Sequence, residues 1–120
     1  MKCVTQVSAS HYQEEGSSSL RIESVTQQLR EICDSRCTKI LEIGLGWGLL
    51  KHFLQHFPDV SHVSIDVDER LHPDYLSSVT QMPFENNKYQ LTVCCQVLER
   101  LPFTEFLPAL KQVRRVTEKR

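Results

Sequence analysis

The amino-acid sequence predicts an α/β fold, namely half of an open, doubly wound sheet whose strands are mostly parallel. Short apolar segments alternate with amphipathic ones along the chain, which is the order expected when helices connect parallel strands. Three of the four glycines fall within five residues, directly after the first short apolar segment. The chain has 120 residues, a length that allows one small domain.

Hydrophobic spacing defines the first elements. Residues 1–19 are polar and end in Gly-Ser-Ser-Ser, so we expect a flexible N-terminal segment there. Residues 20–120 are assigned to one folded domain. Within this domain, the apolar residues of segment 20–33 recur mostly at three- and four-residue steps, which predicts an amphipathic helix. Residues 38–44 follow as a short apolar strand that stops at a glycine.

The remaining elements continue the alternation of helices and strands. They are a helix, a strand, a short third strand, a fourth strand and a final helix, predicted at residues 47–57, 62–67, 76–80, 89–95 and about 104–117. Pro58 punctuates the end of the first of these helices. Arg114 and Arg115, near the end of the final helix, are interpreted as solvent-exposed residues that interact favourably with the helix dipole.

The composition argues against several classes of function. Lys and Arg number 14 against 15 Asp and Glu, a net charge of −1, which argues against strong non-specific binding to nucleic acid or anionic lipid. No apolar run approaches the roughly 18–20 residues that span a bilayer, and the N-terminus lacks the apolar centre of a signal peptide. A cytoplasmic protein is therefore expected. The odd number of five cysteines argues against a disulfide framework, and neither Cys33 with Cys37 nor His52 with His56 completes a metal site.

The most informative segment is the glycine loop, which we define as residues 44–48. Glycines at positions 44, 46 and 48 let the chain turn sharply between a strand and a helix, and they let a ligand approach the backbone. A dinucleotide-binding fingerprint would place its third glycine where this chain has Leu49. The spacing therefore disfavours a nicotinamide cofactor.

Two carboxylates near the loop narrow the choice of ligand. Glu42 lies two residues before the first glycine, where its charge would repel a pyrophosphate and suit an ammonium group. Asp66 ends the second strand, 22 positions after Gly44, where an acid usually accepts hydrogen bonds from two ribose hydroxyls. S-adenosylmethionine (SAM) carries a ribose, an α-ammonium and an α-carboxylate, and no phosphate. It is therefore the predicted ligand.

Four motifs, in order along the chain, resemble those of the class I SAM-dependent methyltransferases, and most closely those of the methyltransferase type 11 group. They are segment 40–48 with the glycine loop, the strand-end Asp66, the Met-Pro-Phe and Asn-Asn sequences within segment 82–87, and segment 97–102 with the sequence VLERLP. The resemblance covers about residues 20–120. It implies a Rossmann-like fold that binds SAM.

By this resemblance, ten residues are expected to contact the cofactor. They are Glu42, Gly44, Gly46 and Gly48 at the methionine end, Asp66 at the ribose, Val67 beside the adenine, Val79 and Thr80 near the adenine edge, and Cys95 and Gln96 at the methyl-donor site. No catalytic residue is identified, because methyl transfer needs little from the protein beyond alignment of donor and acceptor.

The expected function is that of a SAM-dependent methyltransferase domain or fragment, acting on an acceptor that the sequence does not identify. The alternative is a non-catalytic module that keeps the fold and binds SAM or a partner without turnover. Class I methyltransferase domains carry seven strands, whereas this sequence stops after the helix that follows the fourth, which argues against activity of this chain alone. Residues 89–95 would then form an exposed apolar edge, and a second copy or a partner chain is expected to cover it.

Overall fold

The computed structural model describes residues 15–95 and 97–119. The strands are β1 (Lys39–Ile43), β2 (Ser61–Asp66), β3 (Tyr75–Leu76) and β4 (Leu91–Cys94), and the helices are α1 (Glu15–Ser35), α2 (Leu49–Leu54) and α3 (Phe103–Val116). Single 3-10 turns occupy Glu69–Leu71 and Leu98–Arg100. The four strands form one parallel sheet in the order β3-β2-β1-β4. This arrangement confirms the predicted α/β class and the partial, doubly wound Rossmann-like sheet.

Helices cover both faces of the sheet because alternate residues of β1 point to opposite sides. On one side, Ile40 packs with Ile32 of α1 and Leu50 of α2. On the other side, Leu41 packs in a cluster that includes Val116 of α3. All five side chains are at most 3% exposed. Burial of each such side chain contributes about 1.5–3 kcal/mol, so these two small cores hold the helices against the sheet.

Two helices differ by more than one residue from their predicted boundaries. α1 begins at Glu15, five residues earlier than predicted, and residues 1–14 of the predicted flexible segment lie outside the described residues. Residues 15–19, which precede the predicted start at Leu20, include no apolar side chain, so hydrophobic periodicity could not detect this part of the helix. α2 starts later than predicted because Gly48 adopts a left-handed φ of 76° immediately before it.

Strand β4 lies at one edge of the described sheet, and the chain returns to that edge after α3. Tyr89 pairs with Thr117 in a parallel bridge. The N–H of Tyr89 donates to the Val116 carbonyl at 2.9 Å, and the N–H of Glu118 donates to the Tyr89 carbonyl at 2.7 Å. The prediction of an exposed edge over residues 89–95 is therefore wrong at Tyr89, which is 4% exposed. Coverage of the rest of this edge by a second chain stays a prediction.

The interpretation of Arg115 as a solvent-exposed residue is also wrong, because its guanidinium fastens a loop to α3. It donates hydrogen bonds to the Phe84 carbonyl at 2.5 Å, the Met82 carbonyl at 2.9 Å, Asn86 Oδ1 at 3.1 Å and Gln112 Oε1 at 2.9 Å. Arginine can satisfy several acceptors at once since its five N–H donors lie in one plane. The Met-Pro-Phe and Asn-Asn motifs thus have a structural role in positioning this loop.

Arg115→Met is expected to lower the free energy of unfolding by about 2 kcal/mol, because charged hydrogen bonds to several loop acceptors disappear together. Urea unfolding, followed by circular dichroism, measures the change. Arg114→Met is the matched control, since Arg114 is an exposed neighbour in the same helical turn. Its effect should stay within about 0.5 kcal/mol. Equal losses of stability in the two variants would contradict the role assigned to Arg115.

Candidate functional site

The candidate site lies at the carboxyl ends of β1, β2 and β4, the edge at which open parallel sheets usually bind ligands. The glycine loop follows β1, Asp66 is the last residue of β2, and Cys95 directly follows β4. Strand β1 pairs with both β2 and β4. The three features therefore share one edge of the sheet.

The glycine loop is a tight turn built from left-handed backbone. Gly44, Gly46 and Gly48 have φ values of 83°, 54° and 76°. A side chain is strained in this region, which explains why glycine occupies all three positions. The Gly44 N–H donates to the Ile65 carbonyl at 2.9 Å, and the Gly48 N–H donates to the Leu45 carbonyl at 2.9 Å. These bonds hold the loop to β2 and close its turn.

The space around the loop is unequal at its two ends. A Cβ built on Gly44 would lie 2.5 Å from Cγ2 of Val97, so the backbone and the segment after β4 are in close contact there. A Cβ built on Gly48 would meet no atom of the described residues within 4 Å. The described part of the structure therefore leaves room beside Gly48 for a ligand to approach the backbone.

Asp66 fixes the glycine loop to the end of β2. Its Oδ2 accepts the N–H of Leu45 at 2.9 Å, and its Oδ1 accepts the N–H of Asp68 at 2.9 Å. The sequence pattern predicts a ribose contact for Asp66 but gives no sign of this structural role. A carboxylate oxygen can accept more than one hydrogen bond, so the half-buried Asp66 still has acceptor capacity for a ligand hydroxyl.

Glu42 is paired with a histidine that the sequence analysis did not connect to it. Glu42 Oε1 and His62 Nε2 lie 2.9 Å apart, and their side chains are only 6% and 8% exposed. Burial raises the pKa of Glu42 above its ordinary value of 4.5, and the negative charge of Asp66 raises it further. The hydrogen bond and the electrostatic interaction with His62 lower this pKa and only partly offset the effect of burial. The predicted contact between Glu42 and a ligand ammonium stays a prediction.

The two cysteines at the end of β4 face different surroundings. Burial raises the pKa of the Cys94 thiol to about 12, and this side chain packs against the core beneath α3. Partial burial, together with the charges of Glu42 and Glu99, also raises the pKa of Cys95. Both thiols therefore keep their protons at neutral pH and are weak nucleophiles. Gln96, the other residue predicted at the methyl-donor site, lies outside the described residues.

The residues predicted to contact the adenine differ in exposure. Val67 follows Asp66 and is 37% exposed, which leaves its side chain accessible at the edge of the site. Val79 is 4% exposed and belongs to the core beneath α3. Packing in this core is enough to explain why the residue is apolar, whether or not a ligand binds. Thr80 is half-buried, and its hydroxyl lies 3.1 Å from Ser78 Oγ. The adenine contacts of these residues stay predictions.

Two side chains at this site, those of His62 and Arg21, were not predicted from the sequence. His62 shares a face of β2 with Asp66, and a polar residue at that spacing was a signal that it lies near the site. Arg21 of α1 has its guanidinium carbon 5.9 Å from the centroid of the Trp47 ring. Its Nη1 lies 3.4 Å from a Cβ built on Gly46. Packing of α1 against the sheet, which local spacing does not encode, brings Arg21 there.

No protein-family model matches this chain, and no curated protein matches it significantly. Among residues 15–95 and 97–119, no helix is long and apolar enough to cross a membrane. Within the described part of the chain, no three His, Cys, Asp or Glu side chains are grouped closely enough to hold a metal ion. A proposal of function for this chain therefore depends on its fold and on the geometry at the carboxyl edge of the sheet.

Proposed function

We propose that this chain binds SAM at the carboxyl edge of its sheet and serves as a methyltransferase-type domain that transfers the methyl group to an acceptor. One observation carries the proposal: the glycine loop and two carboxylates meet at this edge. The N–H of Leu45 bonds Asp66 at 2.9 Å, and Glu42 lies close enough to Asp66 for the two charges to interact. A loop with accessible backbone beside two acids suits a nucleoside that carries a cationic group.

The residues at this edge fit SAM better than a dinucleotide. Asp66 has acceptor capacity for ribose hydroxyls, and the space beside Gly48 lets a ligand approach the backbone. The pyrophosphate of NAD would bring negative charge close to Glu42 and Asp66, and the repulsion would weaken its binding. The same two acids would attract the α-ammonium of SAM.

Methyl transfer asks for alignment more than for acid or base groups. SAM, when bound, supplies a methyl group on a positively charged sulfonium, which is already a good leaving group. The glycine loop and Asp66 would hold the donor in place, so that an acceptor could be aligned with the methyl group. The raised pKa of Cys95 keeps its thiol protonated, and a protonated thiol does not compete for the methyl group. A base is needed only where the acceptor must lose a proton.

Isothermal titration calorimetry with SAM and with NAD tests the proposed ligand. We expect heat and a saturable isotherm with SAM, and no binding of NAD at the same concentrations. Binding of NAD alone would instead favour an oxidoreductase fragment. An absence of binding to both ligands would favour the alternative of an interaction module that has lost the cofactor.

Asp66→Asn is expected to weaken SAM binding by roughly tenfold to a hundredfold, because the charged hydrogen bonds to the ribose hydroxyls disappear. Asparagine keeps the shape of the side chain and one acceptor oxygen for the N–H of Leu45 or Asp68. Titration calorimetry gives the affinity, and a thermal melt reports whether the glycine loop stays folded.

The matched control is Asp59→Asn, which removes the same charge from an exposed position. We expect this control to bind SAM as tightly as the wild-type chain does. Equal affinity of Asp66→Asn and wild type would remove the ribose contact from the proposal, although SAM binding itself would stand.

A further inference from the structure

Arg21 is a charged residue that α1 places on the ligand side of the fold. Ile32, on the inward face of α1, is buried against α2 and β1. Arg21 lies eleven residues earlier on the same face, which places it about 16 Å further along the helix axis. That distance matches the length of β1, at about 3.3 Å per residue. The inward face of α1 therefore places a cation, Arg21, at the carboxyl edge of the sheet.

The guanidinium of Arg21 is positioned directly beside the glycine loop. It lies over the ring of Trp47, with 5.9 Å between the guanidinium carbon and the ring centroid. Its Nη1 is 3.4 Å from a Cβ built on Gly46. A planar guanidinium stacks well on an aromatic face. Trp47 thus acts as a platform that holds the cation next to the loop backbone.

The candidate site consequently has charges of both signs. Glu42 lies two residues after Ile40 and therefore on the same face of β1, the face that packs against α1 and α2. Arg21 reaches the glycine loop from α1, on that same side of the sheet. A ligand lying on the loop would meet the acids Glu42 and Asp66 together with the cation Arg21. Such a site suits a group that is itself zwitterionic.

We propose that Arg21 binds the α-carboxylate of SAM and makes the site selective for the amino-acid end of this ligand. The inference rests on the proposed function, and it adds a residue to which no role was assigned from the sequence. Arginine is suited to this contact because its fork of N–H donors matches the two oxygens of a carboxylate. A phosphate offers the same acceptor chemistry, but its charge would be repelled by Glu42 and Asp66.

The test compares SAM with decarboxylated SAM, which keeps the ammonium, the sulfonium and the nucleoside but lacks the α-carboxylate. We expect the wild-type chain to prefer SAM by roughly tenfold to a hundredfold, the effect of a charged hydrogen-bonded contact. Arg21→Gln should lose most of this preference, because its affinity for SAM falls while its affinity for decarboxylated SAM changes little. Titration calorimetry with NAD, on both proteins, tests the phosphate alternative.

Arg30→Gln is the matched control, since it removes the same charge from an exposed position of the same helix. It should keep the full preference for SAM. Arg21→Lys keeps the charge but loses the planar fork, so it should show an intermediate preference for SAM. This variant replaces Arg21→Gln in the test if Arg21→Gln does not fold.

The outcomes distinguish a failure of this inference from a failure of the proposed function. If Arg21→Gln binds SAM with an undiminished preference, the role of Arg21 is overturned and SAM binding stands. If wild type does not distinguish SAM from decarboxylated SAM, the carboxylate contact is likewise overturned. A wild-type chain that binds neither SAM nor decarboxylated SAM overturns the inference and the proposed function together. If the wild-type chain binds NAD and Arg21→Gln does not, Arg21 binds a phosphate group and not the α-carboxylate.

Discussion

His62→Leu is expected to lower the free energy of unfolding by about 3 kcal/mol at neutral pH, because it leaves a buried carboxylate without its partner. The substitution removes the 2.9 Å bond between His62 Nε2 and Glu42 Oε1. Leucine retains much of the volume of the imidazole, so packing changes little. With side-chain exposures of only 8% and 6%, water has little access to replace the bond. Urea unfolding of the variant and the wild type gives the difference.

The double variant Glu42→Leu/His62→Leu is the control for this interpretation. Replacement of a whole buried pair by apolar residues is often neutral or stabilising, whereas removal of one partner is not. We therefore expect the double variant to recover most of the stability that His62→Leu loses. A double variant that is less stable than His62→Leu would show that packing, and not the unpaired Glu42, causes the loss of stability.

The contribution of Glu42 to the free energy of unfolding should also depend on pH. Because burial raises the pKa of Glu42 above 4.5, the folded state holds this proton more tightly than the unfolded chain does. The resulting stabilisation is complete below pH 4.5 and is lost as the pH rises through the folded-state pKa. His62→Leu removes the bond that opposes the raised pKa, so its deficit should be small in acid and should grow as the pH increases. A deficit that does not change with pH would contradict this origin.

Gly44→Ala is expected to lower the free energy of unfolding by about 3 kcal/mol through two separate effects. The φ of 83° strains any residue that has a Cβ, which costs about 1–2 kcal/mol. The new Cβ would also lie 2.5 Å from Cγ2 of Val97, and such overpacking adds about 1–3 kcal/mol. Urea unfolding measures the sum, and SAM titration reports whether the distorted loop still binds.

Gly48→Ala separates the two effects, because Gly48 has a similar φ of 76° but no neighbouring atom of the described residues within 4 Å of its built Cβ. We expect this control to show only the strain component, about 1–2 kcal/mol. Adding Val97→Ala to Gly44→Ala should restore part of the stability, and a double-mutant cycle gives the coupling. Equal effects of Gly44→Ala and Gly48→Ala would exclude the clash with Val97.

Much of the fold could be predicted from local patterns. The apolar run that stops at Gly44 and the alternation that ends at Asp66 mark two strand ends correctly, because side chains of a strand alternate between its two faces. The start of α1 could not be predicted, because residues 15–19 include no apolar side chain and therefore carry no hydrophobic periodicity. The strand near residues 76–80 is shorter than expected and occupies Tyr75–Leu76.

Residues in contact across the fold were harder to predict. Arg115 resembles any basic residue at a helix end, and only the fold shows that the Met82–Asn86 loop lies within reach of its guanidinium. The pairing of Glu42 with His62 depends on the register of two parallel strands, which places Glu42 opposite Ser64 and next to His62 on the same face. No spacing within either strand encodes that register.

Sequence alone was sufficient for the order of helices and strands, the sharp glycine-rich turn after β1 and the acid at the end of β2. Each of these depends on the conformational preferences of residues that are neighbours along the chain. Only the tertiary structure decided that Glu42 is buried against His62, that Asp66 fixes the glycine loop, and that Arg21 lies over Trp47 beside Gly46. These contacts join residues about 20 or more positions apart, and the packing of helices and strands brings them together.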